Sequence, residues 1–148
     1  MQLQRIRVTN FRKLTGPVEI GELPTGLAVI GGANEEGKST LLEAIRAALF
    51  EKHSLGGEAA RALQPLGADV APEVGLDFTV DGTEYHLWKR FVRKAAAELH
   101  GAGQTWADDA AEEKLQALLG FERPGKGRSK IEHHGLWGLL WVSQGATF

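Results

Sequence analysis

Cysteine is absent from this 148-residue chain. No disulfide framework, thiol nucleophile or thiolate metal site can be built from it, and the lack fits a reducing compartment. No apolar run approaches the roughly 20 residues that a membrane-spanning helix needs, and Met1-Gln2-Leu3-Gln4-Arg5 lacks the apolar core of a secretion signal. A bulk excess of one charge is missing too. With 17 basic and 19 acidic residues the formal net charge is -2, which excludes coating a polyanion by overall charge. Asn10 and Asn34 are the only asparagines, and neither begins an Asn-Lys-x-Asp run of the kind that reads guanine. The histidines show no metal-ligand spacing, and on a strand the adjacent His133 and His134 would point to opposite faces. What is present is a 43% hydrophobic content with four Trp, enough for one core. The expectation is a single globular, cytoplasmic domain over residues 1–148.

The organising stretch is Gly32-Ala33-Asn34-Glu35-Glu36-Gly37-Lys38-Ser39-Thr40. It fits G-x-x-x-x-G-K-[ST], with an apolar run before it (Leu27 to Ile30) and an amphipathic helix after it (Leu41 to Phe50), which is the setting a phosphate-binding loop needs. Gly32 and Gly37 let backbone N–H groups converge on an anion, and a helix opening near Lys38 adds its positive dipole end. Lys38 is spaced to reach the β and γ oxygens of a nucleotide, Ser39 to ligate magnesium, and Thr40 to lie nearer the α phosphate. Glu35 and Glu36 are compatible with an anion site only if they point to solvent.

Along the chain, Leu3 to Thr9 alternates, with Ile6 and Val8 on one face and Arg5 and Arg7 on the other, and predicts a half-buried strand. Asn10 to Lys13 interrupts it, and Val18 to Ile20 is expected to pair back. Leu27 to Ile30 predicts a strand covered on both faces. Leu41, Leu42, Ile45, Ala48 and Leu49 form the core stripe of the helix. Glu51 to Pro72 reads as a long loop with a short helix near Glu58 to Leu63, and part of it is expected to lie over a nucleotide base. Val74 to Val80 and Glu84 to Val92 flank Asp81-Gly82, a type I′ hairpin. A further strand is expected near Glu98 to His100. Thr105 and Asp108 suggest a capping box for a helix with Ala111, Leu115, Leu118 and Leu119 as its stripe and Gly120 as its stop. Residues 122–130 read as a basic loop, and Trp137 to Gln144 as a buried strand running into Ser143-Gln144-Gly145.

The catalytic set is incomplete. Hydrolysis needs a strand-end carboxylate behind the metal and a group that positions water, yet no run of four apolar residues followed by Asp occurs. Asp77 comes nearest, but it reads as solvent-facing within the hairpin. Ser54-Leu55-Gly56-Gly57-Glu58 reads as a glycine turn.

Ile6 to Lys13, Leu27 to Ile45 and Trp141 to Gly145 together closely resemble the N-terminal half of an SMC/SbcC-like ATPase head. These are bacterial DNA-repair and chromosome-maintenance ATPases related to SbcC, RecN, RecF and YhaN. The resemblance implies an α/β P-loop NTPase fold, an ABC-ATPase-like N-terminal lobe with a mixed β-sheet, an antiparallel hairpin layer and flanking helices. It implies ATP and Mg2+ as ligands, with Arg12, Lys13, Gly32, Asn34, Glu35, Glu36, Gly37, Lys38, Ser39 and Thr40 at the nucleotide, Lys38 and Gln144 as catalytic groups, and Ser39 with Gln144 at the metal. It further implies a C-terminal lobe as partner, a head-to-head homodimer closed by ATP, and DNA as a ligand of the full protein; a nuclease partner is compatible with it. In such proteins a coiled coil follows the glutamine loop, so this chain is expected to be a fragment or split half of a head. Ala33 and Glu35 depart from the commoner Gly-Pro-Asn-Gly form of the loop and point to the Asn-Glu-containing branch.

Two other classes fit parts of the pattern. A self-contained phosphotransferase would need an Arg-bearing lid, for which Arg123 to Lys130 is the candidate. A nucleotide-gated DNA clamp would use Lys89, Arg90, Arg93 and Lys94 on phosphates, with steep salt dependence.

Overall fold

The computed structural model describes residues 1–33 and 37–134. They form one six-stranded antiparallel sheet in the order β2-β1-β3-β4-β5-β6. The strands are β1 (Gln2–Thr9), β2 (Val18–Ile20), β3 (Glu73–Val80), β4 (Thr83–Arg90), β5 (Ala96–Gly101) and β6 (Gln104–Ala107). Helix α1 (Lys38–Phe50) packs on β1, β3 and β4, helix α3 (Asp108–Leu119) packs on β5 and β6, and the short α2 (Gly57–Arg61) lies between α1 and β3 in sequence.

Alternation decides which side chains meet the helices. The register pairs Val18 with Val8 and Ile20 with Ile6, then Ile6 with Leu76 and Val8 with Val74, and Leu76 with Leu87, which pairs in turn with Leu99. These residues share one face; Ile6, Val8, Val74, Leu76, Leu87 and Leu99 make the core with Leu41, Ala44, Ile45, Ala48, Leu49, Leu115 and Leu119, and Ile20 packs against it. The other face is a mosaic of ion pairs: Arg5 with Glu19, Arg7 and His86 with Asp77, Arg90 with Glu73, and His100 with Glu98.

The hairpin forms as expected, with Asp81 at φ 49° and Gly82 at φ 77°, the two positive values that a type I′ turn requires. Helix α1 also forms, although Leu42 is 41% exposed and Ala44 and Phe50 take its place in the core. Helix α3 stops at Gly120, left-handed at φ 67°, whose N–H donates to Gln116 O.

Four expectations are corrected. Residues 27–30 form no strand, and Leu27 and Val29 are 88% and 83% exposed; a strand exists through ladder partners, and among the described residues none pairs with this run. Thr105 caps nothing: it lies in β6 and meets His100 Nδ1 at 2.9 Å, while Asp108 Oδ1 accepts the Ala97 N–H at 3.1 Å. Pairing Gln104–Ala107 with β5 engages more backbone groups than one cap does. Asp77 sits on the outer face but is covered rather than solvent-facing, because Arg7 grips it with two hydrogen bonds (3.0 and 2.7 Å) and His86 with a third. Burial alone would raise its pKa, but the hydrogen bonds from Arg7 and His86 outweigh burial and hold it below the usual carboxylate range. Finally, Leu42, placed in the core stripe of α1, turns outward. His133 and His134 lie at the end of the described residues. They end a 3-10 turn, Ile131–His134, in which His134 is buried and stacks on Phe50. The expected strand at Trp137 to Gln144 lies outside the described residues.

Candidate functional site

Helix α1 opens as an anion-binding end should. Its N-cap is Gly37, left-handed at φ 84°. A Cβ built there would stand 2.8 Å from Leu14 Cδ2, the movable end of a side chain, so it is the positive φ that calls for glycine, with a lesser contribution from the contact. Among the described residues the first turn carries no acidic residue and Gly37 supplies no side-chain cap, and the positive end of the helix dipole lies there. Lys38 folds back along the loop and donates its Nζ to the Gly32 carbonyl. Thr40 is buried and Ser39 exposed.

A groove of about 1020 Å³ is lined by Ser39, Thr40 and Glu43 of α1, by Arg12, Lys13 and Thr15 after β1, and by residues between Arg61 and Asp69. It therefore joins the first turns of α1 to part of the stretch expected over a base. Arg12 is held at its rim: its N–H donates to Leu63 O at 2.9 Å, its Nε donates to Ala62 O at 3.1 Å, and it pairs with Glu43.

The structure brings Arg12, Lys13, Ser39 and Thr40 to this groove, whereas Gly37 and Lys38 line a separate cavity of about 160 Å³ with Leu14, Ile30 and Leu41, and Gly32 is tied to them through the Lys38 Nζ. Asn34, Glu35, Glu36 and Gln144 lie outside the described residues. The donor set suits magnesium in one limited way. Ser39 offers an exposed hydroxyl at the helix start, and among the described residues no group of three His, Cys, Asp or Glu could enclose a metal. A cation here would be held by Ser39 and mainly by the oxygens of a bound phosphate.

The basic clusters are not what their sequence suggests. Lys89 is fully buried, its Nζ donating to Glu112 Oε2 at 2.7 Å and Glu51 O at 2.8 Å. Arg90 pairs with Glu73 and Arg93 with Asp69, so three of the four proposed DNA contacts are engaged and only Lys94 of that set stands exposed without a described ion pair. Arg123, expected in a lid, is clamped inside. Its Nη2 and Nε donate to Leu49 O (2.7 Å) and Phe50 O (3.0 Å), carbonyls at the C-terminal end of α1, and its Nη1 meets Glu112. A cation there satisfies orphan carbonyls and complements the negative helix end, which removes Arg123 as a mobile catalytic arginine.

Glu112 also accepts from the His53 N–H at 2.7 Å. Its burial favours the neutral acid, but Lys89 and Arg123 overcome that and hold it ionised below its ordinary pKa. Burial pushes Lys89 down to about 7 against the pull of Glu112. Sequence reasoning missed this buried cluster, although a signal existed: Lys89 has the parity of Tyr85 and Leu87 in β4, and Glu112 lies on the stripe of Leu115 and Leu119 in α3.

Comparison with known proteins bears on the family and the fold. The chain is 29% identical over 123 residues to the uncharacterized proteins Rv1278 of Mycobacterium tuberculosis and Mb1309 of Mycobacterium bovis, covering 80% of this chain and 14% of theirs. This chain therefore spans about one seventh of the length of those relatives. A structure from work on ATP-driven dimerization and DNA-stimulated activation of SMC ATPases aligns with a TM-score of 0.57 at 17% identity, over 97% of this chain and 93% of that one. The recombination mediator protein RecF-ATPrS aligns with a TM-score of 0.51 at 24% identity, over 79% of this chain and 29% of that one. The AAA domain family matches residues 5–120. The chain belongs to the AAA domain family, and its fold is that of the SMC ATPases and RecF.

Proposed function

We propose that this chain is the N-terminal, nucleotide-binding lobe of an SMC/SbcC-like ATPase head, one domain that takes ATP with its triphosphate at the start of α1. The observation that carries this is the junction at Gly37: a left-handed glycine opens α1 directly before Lys38, and the next two residues, Ser39 and Thr40, line a groove with room for a nucleoside. Lys38 would leave the Gly32 carbonyl for the β and γ oxygens, N–H groups of Gly37 to Thr40 would bind phosphate, and the groove between Arg12 and residues 61–69 would take sugar and base. Asn34, Glu35 and Glu36 belong to the same loop in sequence. Magnesium, when bound through Ser39 and Gln144, would neutralise charge between the phosphates.

The groups for hydrolysis belong to a C-terminal lobe, and closure of two heads over ATP would assemble the working site. The structural relative described for ATP-driven dimerization of SMC ATPases supports that arrangement by fold. Coupling to DNA transactions such as break repair or chromosome maintenance, with a coiled coil between the lobes and a bacterial cytoplasmic or nucleoid location, goes with this reading. No helix among the described residues is long and apolar enough to cross a membrane.

Titration of the chain with Mg-ATP tests it. Weak binding that Lys38→Ala abolishes, with negligible turnover, is the expected result. Absence of binding refutes the nucleotide site, and turnover by the chain alone that depends on Lys38 refutes the division of labour between lobes.

A further inference from the structure

Glu43 stands four residues after Ser39 on α1, on the same helix face, and both line the groove. A carboxylate so near an anion-binding helix end repels phosphate unless a fixed cation neutralises it. Arg12 is that cation. Its backbone lies at φ 49°, its N–H is tied to Leu63 O, its Nε to Ala62 O, and its Nη1 to Glu43. The guanidinium is held between α1 and the 61–64 stretch, at the mouth of the groove.

Taking the nucleotide reading above as given, we propose that Glu43 is a positioning residue. With the Ala62 carbonyl it fixes the Arg12 guanidinium at the groove, so that Arg12 meets the ligand's phosphates already ordered. A long arginine loses rotamer freedom whenever it is fixed, and a side chain ordered in advance spares the ligand that cost. Glu43 touches no ligand atom in this arrangement; it acts through Arg12. A bare staple between α1 and the residues after β1 would hold the fold without distinguishing ligands by their phosphates.

The test is a double-mutant cycle of Arg12→Ala and Glu43→Leu in the 148-residue chain, titrated with Mg-ATP and with adenosine. Glu43→Leu should weaken Mg-ATP about fivefold, the upper range for a part-exposed pair, and leave adenosine unchanged. Glu43→Gln, which keeps an acceptor, should recover most of the loss, and the double variant should bind no more weakly than Arg12→Ala alone. Additive losses, equal losses for the two ligands, or tighter Mg-ATP binding by Glu43→Leu would each overturn the proposal. Should Glu43→Leu not fold, the cycle of Glu43→Ala with Arg12→Ala decides between additivity and coupling. Lys38→Ala separates the two levels: binding that requires Lys38 but shows an additive cycle sinks the role of Glu43 alone, whereas binding indifferent to Lys38 sinks the nucleotide reading and this role with it.

Discussion

Lys89 Nζ lies 2.7 Å from Glu112 Oε2, and both side chains are almost wholly removed from solvent. The carboxylate serves more than this lysine, because Arg123 and His53 also converge on it. Removing it strands two buried cations, whereas removing Lys89 leaves Glu112 with its other partners. Glu112→Leu is expected to cost about 3 to 5 kcal/mol of unfolding free energy, the usual penalty for an uncompensated buried charge. Lys89→Met is expected to cost clearly less. Chemical denaturation of both variants checks the order, and equal losses would show that Glu112 is not the hub.

The same cluster makes stability depend on pH. Lys89 titrates near 7 in the folded chain and near its ordinary value of 10.5 when unfolded. Between those values the unfolded state binds the extra proton, so stability rises with pH across that window. The groups facing it are Glu112, Arg123, Glu51 and His53. Denaturation midpoints measured from pH 7 to 9 should climb in the native chain and flatten in Lys89→Met.

His134 works in a lower window. Burial beside Phe50 and near Arg46 brings it to about 4 from 6.5. Its neutral ring is compatible with the fold, and protonation on unfolding makes stability fall as pH drops from 6.5 towards 4. His134→Phe keeps a ring against Phe50 and should remove part of that acid sensitivity, read from midpoints at pH 5 and 7.

Gly37→Ala combines a positive φ with a contact on Leu14. Backbone strain of this kind costs on the order of 1 to 3 kcal/mol, and nucleotide affinity should fall with it. Adding Leu14→Ala relieves the contact but not the φ, so it should restore only part of the loss. Full restoration would assign the requirement to packing alone.

Leu27 and Val29 present their side chains to solvent. An exposed apolar run favours self-association. Leu27→Ser with Val29→Ser should lower concentration-dependent light scattering of the chain while leaving the melting temperature nearly unchanged.

What could be read in advance, and what could not, divides on physical grounds. Strands β1, β3 and β4 were legible because apolar side chains recur at every second position, and Asp81-Gly82 names its own turn. The start of α1 was legible because a glycine followed by Lys38-Ser39-Thr40 and an apolar stripe marks a turn into a helix, and Gly37 is left-handed there. Lys89 and Arg123 were misassigned to surface patches because charge read in linear order ignores which face alternation assigns. Their partners, Glu112 and the carbonyls of Leu49 and Phe50, come from elements far away in sequence. Leu27 to Ile30 was read as a strand from hydrophobicity, but hydrophobicity supplies no hydrogen-bonding neighbour. Thr105 followed local capping chemistry, and a ladder with β5 prevailed.

Among the described residues, the face of the sheet opposite the helices carries its acids and bases already matched, Arg5 to Glu19, Arg7 to Asp77 and Arg90 to Glu73. Fields from such closely matched opposites largely cancel within a Debye length. The arginines of that face, spent on their own carboxylates, therefore lend little long-range pull to a mobile ion of either sign.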